Sequence, residues 1–138
     1  MLGEKGGAQV RLWDRIASDD GMIDVCVELT HTTETMALRT AAHGVTLVIT
    51  RELTSFLDGL VADFAGWPGE RTWQNLDGDI EIAAQHVSRG YVDLRWTLRP
   101  RPYDWVRPWQ ASITMRVEAG EELRRLAADV THFLHGEQ

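Results

Sequence analysis

The stretch "TRELTSFLDGLVADFAGWPG", residues 50–69, decides the fold. Leu53, Phe56, Leu57, Leu60, Val61 and Phe64 recur in it at the spacing of a single helical stripe. Thr50 stands at the N-cap position, Gly66 at the C′ position, and Pro68 prevents continuation. On both sides of this helix the apolar period drops to two, so it interrupts a chain of strands.

Upstream, "AQVRLWDRI" (8–16) alternates Ala8, Val10 and Leu12 with Gln9, Arg11 and Trp13, and Ile16 continues the apolar set. "SDDG" (18–21) is a turn cluster. "MIDVCVELTH" then sets Ile23, Val25, Val27 and Leu29 on one face and Asp24, Cys26, Glu28 and Thr30 on the other. These two runs predict a hairpin. "TMALRT" (35–40) and "VTLVI" (45–49) read as one or two further strands, broken near His43-Gly44.

Downstream come "RTWQNL", "DIEIAAQHV", "YVDLRWTLR" and "QASITMRVE". Asp77-Gly78 and Ser88-Arg89-Gly90 supply the turns of an antiparallel meander with one wet face. "GEELRRLAADVTHFLHG" closes the chain as a second helix, its stripe formed by Leu123, Leu126, Ala127, Val130, Phe133 and Leu134. Glu121 and Glu122 suit its positive end, His132 and His135 its negative end.

The order is β-β-β(β)-α-β-β-β-β-α. Tight turns give antiparallel pairing, and two one-sided helices need an apolar sheet face to cover. The expectation is an α+β, two-layer domain: one antiparallel sheet of about 7–8 strands with two helices on one face. Residues 1–7 are Gly-rich and read as a flexible lead to a single domain over 8–138.

Composition narrows the function classes. The formal net charge is −7, yet residues 99–116 carry four arginines against one aspartate, so the rest of the chain is more acidic still. An acidic body argues against nucleic acid, whose phosphates call for clustered Lys and Arg. It suits a basic protein surface, or simply solubility. The single cysteine, Cys26, rules out an internal disulfide and a multi-cysteine zinc site. The first ten residues lack the apolar core of a secretory signal, and Val45–Ile49 is far too short to span a bilayer. A cytoplasmic protein without membrane attachment is expected.

Catalytic motifs are missing from the sequence. It contains no phosphate-binding glycine loop and no G-x-S-x-G elbow. "LDGDIE" stacks Asp77, Asp79 and Glu81, but Ile82 occupies the position where a calcium loop needs glycine. His132 and His135 have a spacing that can share a metal, which the helix C-terminus explains as well. Cys26 lies in an alternating strand without a local activating signature. The residues thus predict no catalytic site, no metal and no cofactor, and argue against an enzyme.

Six tryptophans are many for 138 residues. Trp96 falls in an apolar series and reads as core. Trp67 and Trp73 bracket "PGER" and are placed to pack the first helix's end onto the sheet. Trp13 lies on the polar face of its strand. Trp105 and Trp109 belong to "RPRPYDWVRPW" (99–109), where Pro100, Pro102 and Pro108 cannot donate ladder bonds. Residues 100–108 therefore read as a long hairpin loop, carrying the residue types that dominate interface hot spots. Either this loop meets a partner or its aromatics seal the sheet end.

The helix "SFLDGLVADFAGW", the block "TWQNLDGDIEIAAQH" and the ending "WQASITMRVEAGEELRRLAADVTHFL" together resemble a bacterial, mainly actinobacterial, family of small proteins of unknown function. The element order is also similar to that of the WapI-like immunity proteins, non-enzymatic partners that neutralise the toxin domain of a contact-dependent toxin. The resemblance covers about residues 22–135; it implies a fold and a binding class and assigns no site residues.

The resulting expectation is a small binding protein, of the immunity type, that blocks a basic toxin domain or another protein. Its candidate contact residues are Arg101, Tyr103, Trp105, Arg107 and Trp109 in the loop, with Glu52, Asp58 and Asp63 on the first helix's outer face. Glu28, Asp79 and Glu81 could add to an acidic face. The alternatives are a ligand carrier or enzyme with a pocket between sheet and helices, and a homo-oligomeric structural protein.

Overall fold

The alternating runs become strands, and the turn residues between them set which strands pair. In the computed structural model, residues 2–3, 7–17, 20–48, 53–100 and 109–136 are described. The order is β1 (Leu2–Gly3), β2 (Ala8–Ala17), β3 (Met22–Thr32), β4 (Ala37–Val48), α1 (Leu53–Ala62), β5 (Glu70–Gln74), β6 (Ile80–Val87), β7 (Tyr91–Leu98), β8 (Ala111–Glu118) and α2 (Glu121–Leu134). The α+β class and the strand–helix order follow the sequence reading. The two-residue β1, paired with Gln9 and Val10, adds to it.

One feature of the sheet differs. The strands divide into two antiparallel sheets, β1-β2-β3-β4 and β5-β6-β7-β8, instead of forming one. The helix explains the division. Short turns force β2-β3-β4 and β5-β6-β7-β8 to pair in sequence, whereas the β4–β5 connection contains α1 and imposes no pairing. The halves meet through Asn75, whose Nδ2 donates to the Thr46 carbonyl oxygen at the end of β4 (3.2 Å).

Alternation sets the inner faces. Val10, Ile23, Val25, Val27, Leu29, Val45 and Leu47 of the first sheet join Ile80, Ile82, Leu94, Trp96, Leu98, Ile113 and Met115 of the second in one apolar cluster. Leu53, Leu57 and Leu60 of α1 and Leu123, Leu126, Val130 and Leu134 of α2 complete it. Trp96 is fully buried, as its place in the β7 series requires. Trp67 is buried at the end of α1, its Nε1 donating to the Ala84 carbonyl oxygen (3.2 Å), so it does pin the helix end to the sheet.

Phe64 departs from the stripe. The helix stops at Ala62, so Phe64 falls in the following turn and is 64% exposed. Its carbonyl oxygen is held by His86 Nε2 (3.2 Å), which leaves the chain positioned for Gly66 at φ 124°. Thr50, the expected N-cap, lies outside the described residues.

Two β-bulges distort the first sheet. Between Trp13 and Ile16, β2 holds two residues against the single Val25 of β3, and Asp14 takes φ 59°. Between Ala42 and Val45, β4 holds His43 and Gly44 against the single Cys26, with Gly44 at φ 71°. The His43-Gly44 break is therefore a bulge inside one long strand. Each bulge supplies the extra residue that re-aims its neighbours.

Candidate functional site

Of the residues singled out in the sequence, Arg101, Tyr103, Trp105, Arg107 and Glu52 lie outside the described residues. Trp109 is described, just before β8, and is 49% exposed. Asp58 is exposed on α1. Asp63 follows the helix and binds Arg71, with Nη1 to Oδ2 at 2.7 Å. The Arg71 guanidinium also covers the Trp67 ring at 4.8 Å from its centroid.

The other acids are committed within the chain. Glu28 is buried and receives Arg39 Nε at 2.8 Å. Asp79 is buried and accepts from Asn75 Nδ2. Glu81 pairs with Arg99 at 2.7 Å. Alongside it, Arg116 grips Asp93 through two bonds of 2.8 and 3.1 Å, and Arg95 reaches Glu70 at 3.0 Å. The outer face of the second sheet thus alternates acids and arginines that neutralise one another. Exposed pairs of this kind contribute little to stability, but they cancel the field an acidic docking face would need.

A different group of residues meets on the outer face of the first sheet. Trp13 of β2 pairs in register with Cys26 of β3, and the β4 bulge brings His43 to the opposite flank of Cys26. The Cys26 Sγ lies 3.3 Å from His43 Nδ1, within range for the thiol to donate to an unprotonated ring nitrogen. His43 meets the Trp13 ring edge-on, with centroids 6.0 Å apart and planes at 87°. The Arg11 guanidinium stacks over Trp13 at 4.5 Å from the ring centroid.

Cys26 is only 6% exposed, yet it stands outside the apolar core cluster. Its cover is the outer-face side chains, not the interior. Chemically the group pairs a nucleophile with a base, beside an aromatic ring that carries a cation. Among the described residues, no set of three His, Cys, Asp or Glu side chains is placed to hold a metal ion. Among the same residues, no helix is long and apolar enough to cross a membrane.

Sequence reasoning placed Cys26 correctly on the outer face of β3 and missed its partner. The available signal was His43-Gly44 itself. A glycine inside an apolar run marks a bulge, and a bulge opposite Cys26 turns the preceding histidine toward the thiol.

Residues 1–137 match the sequence profile described as "Family of unknown function (DUF6228)", so the chain belongs to that family. The family of unknown function expected from the helix and strand blocks is thereby found, and nothing links it to WapI-like immunity proteins. No curated protein and no solved structure matches the chain.

Proposed function

We propose that this protein acts by binding another protein through the β7–β8 end of the second sheet. The observation that carries the proposal is the exposed indole of Trp109 at the root of an Arg-, Tyr- and Trp-rich connection. A half-exposed tryptophan next to such residues is the composition of an interface hot spot. The interior supports the same reading, since both inner sheet faces and both helical stripes are filled by apolar side chains packed in one cluster. A toxin domain neutralised by an immunity-type inhibitor is the narrower form of this proposal. The internal pairing of Glu28, Asp63, Asp79 and Glu81 favours a contact at Trp109 over one through an acidic face.

The test is site-specific photo-crosslinking in the native host, with the reactive residue at position 109 or, as a control, at exposed position 129. A discrete adduct at 109 and none at 129 supports the reading. The adducted protein, identified by mass, then distinguishes a toxin-like neighbour, another protein and a second copy of this chain. Equal labelling at both positions, or none at 109, overturns it. Trp109→Ala should leave thermal stability unchanged while abolishing the adduct partner's co-purification.

A further inference from the structure

Beyond that reading, the geometry points to Cys26 as a peroxide-reactive thiol, with His43 as the base that accepts its proton. Two features carry the inference. The thiol and the imidazole Nδ1 are in hydrogen-bond contact at 3.3 Å, with nucleophile and base on adjacent strands of a rigid sheet. The base is itself oriented, held edge-on by Trp13 and set on a bulge whose Gly44 has φ 71°. Arg11 lies over Trp13, and the carboxylate of Glu28 on the same face is occupied by Arg39.

The other charged side chains of this face are Asp24 of β3, which accepts from Thr46 Oγ1 at 2.7 Å, and Asp14 on the β2 bulge. Among the described residues, neither is hydrogen-bonded to Cys26 or His43. His43 is exposed, which gives its ring a route to water for a proton to leave or return.

The reaction balances with hydrogen peroxide as the only co-reactant. The sulfur attacks one peroxide oxygen as its proton passes to His43 Nδ1. The O–O bond breaks, and the departing hydroxide takes the proton from the imidazolium to leave as water. The products are the Cys26 sulfenic acid and one water molecule, the sulfur oxidised and the peroxide reduced. The chain has a single cysteine, so no intramolecular disulfide can follow. Reversal needs external thiol.

The experiment treats the intact protein with hydrogen peroxide, traps sulfenic acid with dimedone and follows the adduct by mass against time, with free cysteine as reference. The expected result is trapping faster than on free cysteine, slowed about tenfold or more in His43→Gln by loss of the base. Circular dichroism confirms that the variant is folded, and Trp13→Phe, which keeps a ring over the site, serves as a second variant that must retain the His43 dependence. A rate no greater than that of free cysteine, or one unchanged in folded His43→Gln, overturns the inference.

Discussion

Arg15 Nε donates a 2.7 Å hydrogen bond to the carbonyl oxygen of Leu134, 119 residues away in sequence. The bond depends on the β2 bulge: Asp14, at φ 59°, inserts the extra residue that swings Arg15 out of the strand's alternation. A guanidinium there meets the last carbonyls of α2, where the helix dipole is negative and backbone acceptors lack intrahelical donors. Gly136 leaves room for it, because a Cβ at that position would lie 3.2 Å from Arg15 Nη1.

Arg15→Met should therefore lower stability by about 1–2 kcal/mol, the size of a charge-assisted bond at a helix end. Arg15→Lys should recover only part of that loss, since an ammonium cannot present the same fork. Chemical denaturation of the two variants checks both values. A change in slope as well as midpoint would show that α2 had detached in the native state.

Asn75 carries the junction between the sheets. It is buried, gives its amide to Thr46 and Asp79, and accepts from the Ile80 N–H at 3.2 Å. Asn75→Ala removes these three bonds from the sheet junction and should cost about 2–4 kcal/mol by urea denaturation. Asn75→Asp should cost at least as much at neutral pH, because it sets two carboxylates together. One of them then holds its proton more tightly when folded than when unfolded. The folded state binds more protons, so this variant's deficit should shrink as pH falls toward the carboxylate range and widen above it.

Arg89 lies in the β6–β7 turn at φ 68°, where side chains with a Cβ are strained and glycine or asparagine is tolerated. It is exposed. Arg89→Asn should raise stability by about 0.5–1 kcal/mol, read as a higher melting temperature with unchanged secondary structure. Loss of stability on that substitution would mean that the arginine side chain holds a contact worth more than the strain.

Most of the fold was legible because alternation and helical period report local geometry directly. Strands β2 to β8, both helices and the buried places of Trp96, Trp67 and Trp73 follow from those periods and from the Gly and Asp turns. The division into two sheets was not legible, because which strand edges remain unpaired is a matter of long-range packing on which the residues of β4 and β5 are silent. The contact between Cys26 and His43 was hidden for a related reason. A bulge changes register by one residue, and only the pairing of β3 with β4 shows which residue it turns toward Cys26. Glu28 and Glu81 lie on outer strand faces as read, and Asp63 falls just past α1 instead of on it, but their arginine partners come from other strands or beyond the helix end.

Trp96 gives the last prediction. Its side chain is fully buried in the inner row with Trp73, Ile82 and Ile113, and its Nε1 has no hydrogen-bond partner among the described residues. A buried donor left unmade costs about 1–3 kcal/mol, which the apolar contacts of so large a ring offset. Trp67, by contrast, donates to the Ala84 carbonyl oxygen. In an amide-correlation NMR spectrum the Trp96 indole proton should resonate upfield of that of Trp67, as an unbonded N–H does, while exchanging slowly with solvent because it is sealed from water. Trp96→Phe removes the orphan donor together with part of the ring, so its stability loss should fall below the roughly 3–5 kcal/mol typical of emptying a large aromatic site. A downfield Trp96 proton, or a loss at the top of that range, would place an acceptor on the indole and remove the orphan.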